Sequence, residues 1–262
     1  MTGWRWVIEG FRVLRKQPVA LLSITFINLM LMGLSLVIPI IGSLGPLLLT
    51  PVLMVGMIRA AQMADSGQNP SPFVLFSGFR DQQGQAWKPL LGLGLINAAA
   101  TMLALTAATM AGGELLTELV TGRIAPNDPR AADAPIGWAA LIFLIIYLPI
   151  QLATWYAPMF IAWDKVPLAK SMFFSIAAIL RNKAAFTVYA AGWFLVAFVA
   201  MLVVRIIQGL IGGSPMLMTL VLYPVWLGAL AAVYCSFWVT YRDAVDHTGS
   251  SRATDNASHL TP

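Results

Sequence analysis

Six long apolar runs constrain this chain more than anything else in it. They cover 19–41, 45–62, 89–111, 136–162, 184–208 and 216–241. A helix of about 20 apolar residues crosses the hydrocarbon of a bilayer. In lipid the backbone must satisfy its own polar groups, which leaves helices or a closed barrel. Barrel strands alternate apolar and polar residues over about ten positions. The runs here are continuous and rich in Leu, Ala, Met and Ile, so helices are expected. The fold class is all-α: a polytopic membrane helical bundle with six transmembrane helices. Composition agrees, at 59% hydrophobic and 10% charged, against roughly 25% charged in soluble domains. The first run is longer than a signal-peptide core of about 7–15 residues, and no small-x-small cleavage site follows it. It is expected to stay in the membrane.

The charge pattern gives an orientation. The net charge is +5 and the pI about 9.6. In a soluble chain this would suggest nucleic acid, but here the cations stand in short blocks beside apolar spans. Arg5, Arg12, Arg15, Lys16, Arg59, Arg80, Lys88, Lys165, Lys170, Arg181, Lys183, Arg242 and Arg252 all fall on one side of a six-span topology. The other side holds Arg123 and Arg130, with Arg205 near a helix end. The positive-inside rule then makes both termini cytoplasmic. On the opposite face the expectation is a tight turn at 41–45, a turn at 209–214 and a longer loop at 112–135. That loop carries Glu114, Glu118, Asp128 and Asp133.

Between the spans lie shorter amphipathic segments, expected as interfacial helices at about 3–16, 72–80 and 167–182. In the first, Trp4, Val7/Ile8, Phe11 and Leu14 make an apolar stripe opposite Arg5, Glu9, Arg12 and Lys16. Glu9 can pair with Arg5 and Arg12 along the helix. In the third, Pro167 opens the helix. Leu168, Met172, Ile176 and Ile179/Leu180 form the apolar face, and Ser171, Ser175, Ala178 and Asn182 a small or polar one. Arg181-Asn182-Lys183 therefore joins this surface helix to the fifth span and is not buried in lipid. Each surface helix precedes a hairpin of two spans, which suggests three helix-plus-hairpin repeats. The domain reading is one transmembrane domain, 1–242, and a disordered polar tail, 243–262.

Few residues could carry chemistry. Both histidines, His247 and His259, are in the tail, so a catalytic triad or His-metal site inside the bundle is excluded. The single Cys235 sits in a span, and no CxxC is present. There is no phosphate-binding loop; "GLG" at 92–94 is a small-residue helix phrase that suggests close packing. No cofactor and no metal are expected, and the chain is read as a non-enzyme. The best functional hint is the basic residues of the surface helices, Arg12, Arg15, Lys16, Lys170, Arg181 and Lys183, as a site for lipid headgroups. Helix-kinking Pro51, Pro158 and Pro224, with the neutral polar Asn97 and Gln151, outline the alternative: a path through the bundle of a small transporter or permease component. Asn28, Thr101, Thr106 and Gln208 are further polar residues within spans.

The phrases "YAPMFIAWDKVPLAKSMFFSIAAILRNKAAF" and "WRWVIEGFRVLRKQPV" carry a resemblance over nearly the whole chain. The pattern is a span ending in a proline phrase, a surface helix with Ala/Ser spacing, then Arg-Asn before the next span. Here it falls on Pro158, Pro167, Ala169, Ser171, Ser175, Arg181 and Asn182. It resembles an uncharacterised bacterial family of six-span inner-membrane proteins, distantly similar to the membrane domain of some glycerophosphodiester phosphodiesterases. The resemblance implies a fold and a bacterial inner membrane, without an activity. The expected partners are membrane lipids with anionic headgroups on the cytoplasmic side, and a protein partner or a second copy of the chain.

Overall fold

The computed structural model describes residues 2–37, 42, 44–125, 127–211 and 215–258, and their side chains except at 210, 211, 215–221 and 246–258. The expected turns at 41–45 and 209–214 fall partly outside these residues. Ten α-helices and two short 3-10 turns make up the described chain, with no β-strand among the described residues. They are α1 (Thr2–Lys16), α2 (Pro18–Val37), α3 (Gly45–Asp65), α4 (Ser77–Gly84), α5 (Trp87–Val120), α6 (Ile136–Thr154), α7 (Ala157–Ala162), α8 (Leu168–Arg181), α9 (Lys183–Ile211) and α10 (Pro215–Ser258). Six candidate spans emerge by length and hydropathy: α2, α3, α5, α6 with α7, α9 and the 222–245 part of α10. The protein is a polytopic helical bundle.

Helix contacts are uneven. α2 pairs with α3, and α5 with α6 and α3. α1 packs against α10 and α9, and α9 is bonded to α10 through Tyr189 and Ser236. The core gathers at the end of the bundle where α1, the end of α3, α7 and α10 meet. Trp6, Ile24, Met57, Leu75, Tyr156 and Met159 are fully buried there. Lipid is as apolar as leucine, so spans gain little by burying aliphatic side chains against each other; close packing through small residues matters more. α1 follows that rule. Its buried residues are Gly3, Trp6, Val7, Gly10 and Val13, while Trp4 and Ile8 are exposed. The buried stripe overlaps the Trp4, Val7/Ile8, Phe11 and Leu14 stripe read in the sequence at Val7, with Phe11 and Leu14 half-buried, but it is rotated toward Gly3, Trp6, Gly10 and Val13. Gly10 lets the α1 backbone rest on α10: a β-carbon there would lie 2.5 Å from Cβ of Ser236. Gly3 meets the Ala185 carbonyl of α9 in the same way.

In α8 the small, polar face is the most deeply buried, while Leu168, Met172 and Ile176 of the expected apolar face are half-buried. Ser171, Ser175, Ala178 and Ile179 are buried, whereas Leu180 and Phe173 are exposed. The small, polar face turns inward because it can approach α6 and α7 closely and offers hydroxyls. The fourth span breaks at Trp155–Tyr156, and Pro158 lies in the first turn of α7. At this break Ser175 Oγ inserts into the helical ladder. It accepts from the Tyr156 N–H at 3.0 Å and donates to the Leu152 carbonyl at 2.7 Å. These two groups would bond each other in an unbroken helix.

Two further expectations change. The loop expected at 112–135 is partly helical, because α5 continues to Val120 after a bend at Gly113 (φ 71°, ψ −165°), a backbone open to glycine. The tail expected to be disordered from 243 is helical through Ser258, and residues 259–262 lie outside the described residues. Asp243 itself is bonded within the bundle.

Ser175→Ala leaves one buried N–H and one carbonyl without partners, at roughly 1–3 kcal/mol for such groups. The expected outcome is a fall of several degrees in the melting temperature of the detergent-solubilised protein, with Ser175→Thr milder. An unchanged melting temperature would show the hydroxyl to be dispensable.

Candidate functional site: a charged network beside an unpaired basic surface

Arg242, in α10, organises the end of the bundle that carries the basic helices. Its three nitrogens reach three different carboxylates: Nη2 to Glu9 of α1 at 2.9 Å, Nη1 to Asp65 of α3 at 3.0 Å, and Nε to Asp243 at 3.1 Å. Each aspartate then takes one cation from α1 and one indole. Asp65 accepts from Lys16 Nζ at 2.7 Å and Trp238 Nε1 at 3.1 Å. Asp243 accepts from Arg5 Nη2 and Trp6 Nε1, both at 2.9 Å. Arg5 also reaches Glu9 at 3.3 Å. Three cations face three acids, and the cluster is internally neutral. Lys16 also donates to the Asp65 carbonyl, at the C-terminal end of α3, where a cation is favoured by the helix dipole.

A second ion pair lies nearby. Arg59 Nη1 meets Asp81 at 3.0 Å, and its guanidinium stands 5.8 Å from the Trp163 ring centre. Asp81, Gln82 and Gln83 interrupt α4 with non-helical backbone, and Gln82 and Gln83 are left-handed (φ 55° and 58°). The Gln82 side chain donates to the Ile161 and Ala162 carbonyls, closing the free end of α7. Burial pushes the Asp81 carboxyl above its ordinary value, against the opposing pull of Arg59. Burial also raises Asp164, against the hydrogen bond donated by Tyr241 at 3.2 Å.

The headgroup candidates divide. Lys16 is held by Asp65. Arg12, Arg15, Lys170, Arg181 and Lys183 are exposed and form no ion pair among the described residues, as do Arg80, Lys88 and Lys165. Apolar side chains stand exposed among them: Trp4, Ile8, Phe73, Phe173 and Leu180. The path candidates do not converge. Pro51 and Pro158 are buried, and Pro224 is exposed. Asn97 and Gln151 do come together, Gln151 Nε2 donating to Asn97 Oδ1 at 3.4 Å between α5 and α6. Asn28 Nδ2 reaches Tyr234 at 3.4 Å. Glu118 meets Arg130 at 3.9 Å, and Arg130 also pairs with Asp128.

Sequence reasoning missed the network. Glu9 bonds Arg5, but its second partner is Arg242 and not Arg12. One signal was available: few acids occur among the spans of the basic end, and each must find a cation. An open cavity of 430 Å³ adjoins the network, lined by Gln62, Met63, Asp65, Ser66, Gln68 and Trp238. No group of metal-ligating side chains occurs among the described residues.

Six apolar spans with a neutral ionic cluster at one end define a multi-pass integral membrane protein. The chain is 34% identical over 244 residues to a probable inner membrane protein of Burkholderia thailandensis, covering 92% of this chain and 90% of the relative. It belongs to that family of inner-membrane proteins. No protein-family model and no solved structure matches it.

Arg242→Met leaves three partly buried carboxylates, Glu9, Asp65 and Asp243, facing only two cations, Arg5 and Lys16. Breaking a buried pair costs roughly 3–5 kcal/mol, and less where solvent screens it. The expected result is a destabilised protein, with α1 digested faster by protease. Equal protease resistance in variant and wild type would contradict the hub role.

The raised Asp81 value sets a pH dependence. The folded chain holds this proton more tightly than the unfolded one. Its contribution is therefore fullest below the ordinary carboxyl value and is lost as pH rises through the raised value. Asp81→Asn is expected to flatten that part of the melting-temperature profile, on the side above the ordinary carboxyl value. An unaltered slope there would assign the effect to other carboxyls.

Proposed function

We propose that this chain is a non-enzymatic lipid-binding protein of the inner membrane, whose basic end faces the cytoplasm and gathers anionic phospholipid headgroups. One observation carries the reading: acids and cations at this end are segregated. Glu9, Asp65, Asp81 and Asp243 are all engaged by cations of the same chain, and Asp164 accepts from the Tyr241 hydroxyl. Arg12, Arg15, Lys170, Arg181 and Lys183 remain exposed without an acid. The complement of such a surface is an anion. Apolar side chains interleaved with the cations favour a bilayer surface over a soluble polyanion. The positive-inside rule supplies the orientation. The likeness to the membrane domain of some glycerophosphodiester phosphodiesterases belongs to this proposal, and supports a lipid-facing role alone.

The transport alternative draws support from one feature, the Asn97–Gln151 bond between two spans. Neutral amides bonded across helices serve packing as readily as passage.

The test is native mass spectrometry of protein released from phosphatidylcholine nanodiscs containing phosphatidylglycerol. Each cation near an anionic surface contributes about 1 kcal/mol. Replacing Arg12, Arg15, Arg181 and Lys183 together by Gln is expected to lower phosphatidylglycerol retention at least about tenfold at low salt, without loss of insertion. Retention equal to wild type would overturn the reading. A variant in Asn97 and Gln151 is expected to leave it unchanged.

A further inference from the structure

The open cavity beside Asp65 has a wall of mixed polarity. Its 430 Å³ are lined by Gln62, Met63, Asp65, Ser66, Gln68 and Trp238, a volume within the range of about 300–1,000 Å³ usual for small-ligand sites. Its depth in the membrane follows from the spans. Asp65 is the last residue of the second span. Lys16, which bonds it, ends α1 just before the first span opens at Pro18. Trp238 lies near the end of the sixth span. Three spans reach the surface here, so the cavity opens at headgroup level. Val19, at the start of α2, is exposed at the same edge.

The hydrogen bonds of this wall are unevenly spent. An ammonium has three donors. Lys16 gives two of them to Asp65, to its carbonyl and to Oδ1, both at 2.7 Å. Asp65 Oδ2 accepts from Trp238 and Arg242. Oδ1 accepts from Lys16 alone among the described residues, which leaves it room for a second donor. Ser66 Oγ gives its hydrogen to the Gln62 and Met63 carbonyls, so toward the cavity it accepts. The side-chain amides of Gln62 and Gln68 are exposed and bonded to nothing among the described residues. The wall therefore offers one cationic donor, two oxygen acceptors and two amides. Its complement carries a negative oxygen and hydroxyl groups together. Choline has no donor to give, and ethanolamine would set another cation beside Lys16 and Arg242. A phosphate ester with neighbouring hydroxyls satisfies both parts of the wall.

We propose that this cavity selects the hydroxylated headgroup of phosphatidylglycerol, its hydroxyls at Asp65, Gln62 and Gln68 and its phosphate at Lys16. The inference rests on the anionic-lipid reading of the basic end and names the headgroup that this end prefers. Free glycerol phosphate has the same chemistry. The cavity's place at the surface end of three spans, next to the exposed Val19, favours the lipid.

The probes are phosphatidylglycerol and phosphatidylethanol, mixed equally in phosphatidylcholine nanodiscs, with each retained lipid counted by native mass spectrometry. Both carry one negative charge, and only the first has headgroup hydroxyls. Wild type is expected to retain phosphatidylglycerol over phosphatidylethanol by at least about threefold, the worth of one net hydrogen bond. The double variant Gln62→Ala/Gln68→Ala, altered only at exposed side chains, is expected to lose this preference while retaining phosphatidylethanol as wild type does. The Arg12/Arg15/Arg181/Lys183→Gln variant is expected to lose both lipids in proportion and keep the preference, so failure of the charged surface and failure of the selection are read separately. Equal retention of the two lipids by wild type would overturn the proposal, as would a preference that survives in the glutamine variant. Lipid-free protein in detergent is expected to show no adduct with glycerol 3-phosphate. Such an adduct, lost in the glutamine variant, would assign the cavity to the free ester and overturn the lipid.

Discussion

Arg242 is the residue on which the arrangement of this bundle turns. A guanidinium is a rigid fork, permanently charged, with donors in fixed directions. Here the directions select three acids on three helices: Glu9 on α1, Asp65 on α3 and Asp243 on α10. Lysine could not replace it, because a single ammonium cannot hold three carboxylates at fixed angles. The indoles of Trp6 and Trp238 complete the two aspartates. Both rings also pack into the aromatic core, Trp6 edge-on to Phe186 at 5.3 Å and Trp238 tilted against Tyr241 at 6.5 Å. The ionic cluster and the apolar core are therefore fixed by the same side chains. α1 cannot shift without disturbing both.

The same logic explains where helices touch. Aliphatic burial favours folding in water, but in a bilayer the alternative to a helix contact is an acyl chain of equal polarity. Specific contacts must then come from backbone closeness and from hydrogen bonds. α1 supplies the first through Gly3 and Gly10. α8 supplies the second through Ser175, which takes over a ladder position that the broken fourth span has lost. α9 has both near its start, where Gly3 of α1 rests on the Ala185 carbonyl and Tyr189 is bonded to Ser236 of α10.

This divides what the sequence could tell from what it could not. The six spans were legible because crossing a membrane is a local demand on length and polarity. The basic end was legible because orientation depends on where cations sit along the chain, not on what they touch. The faces of α1 and α8 were only partly legible, because hydrophobic periodicity marks the core only where water is the alternative. Next to lipid, Trp4, Ile8, Phe173 and Leu180 can face outward while glycine and serine turn inward. The network was hidden for another reason. Arg242 meets Glu9 across 233 positions and Asp65 across 177, and Arg5 meets Asp243 across 238. No local pattern encodes such distances. The Asn97–Gln151 pair was half legible: both polar residues stood out, but not that they bond each other.

The network also changes what the net charge means. Charges inside the cluster cancel over a few ångströms, and surface fields decay over a Debye length of about 8 Å at physiological salt. A headgroup therefore responds to the cations within reach that lack an acid, and not to the +5 of the whole chain. By drawing Glu9, Asp65 and Asp243 into one neutral cluster, Arg242 removes the anions that could have neutralised Arg12 or Arg15. Holding α1 in place and leaving its outer face positive are then one structural act. A change that frees Glu9 would loosen the helix and weaken the local field together. Stability and surface charge at this end of the protein cannot be tuned separately through α1.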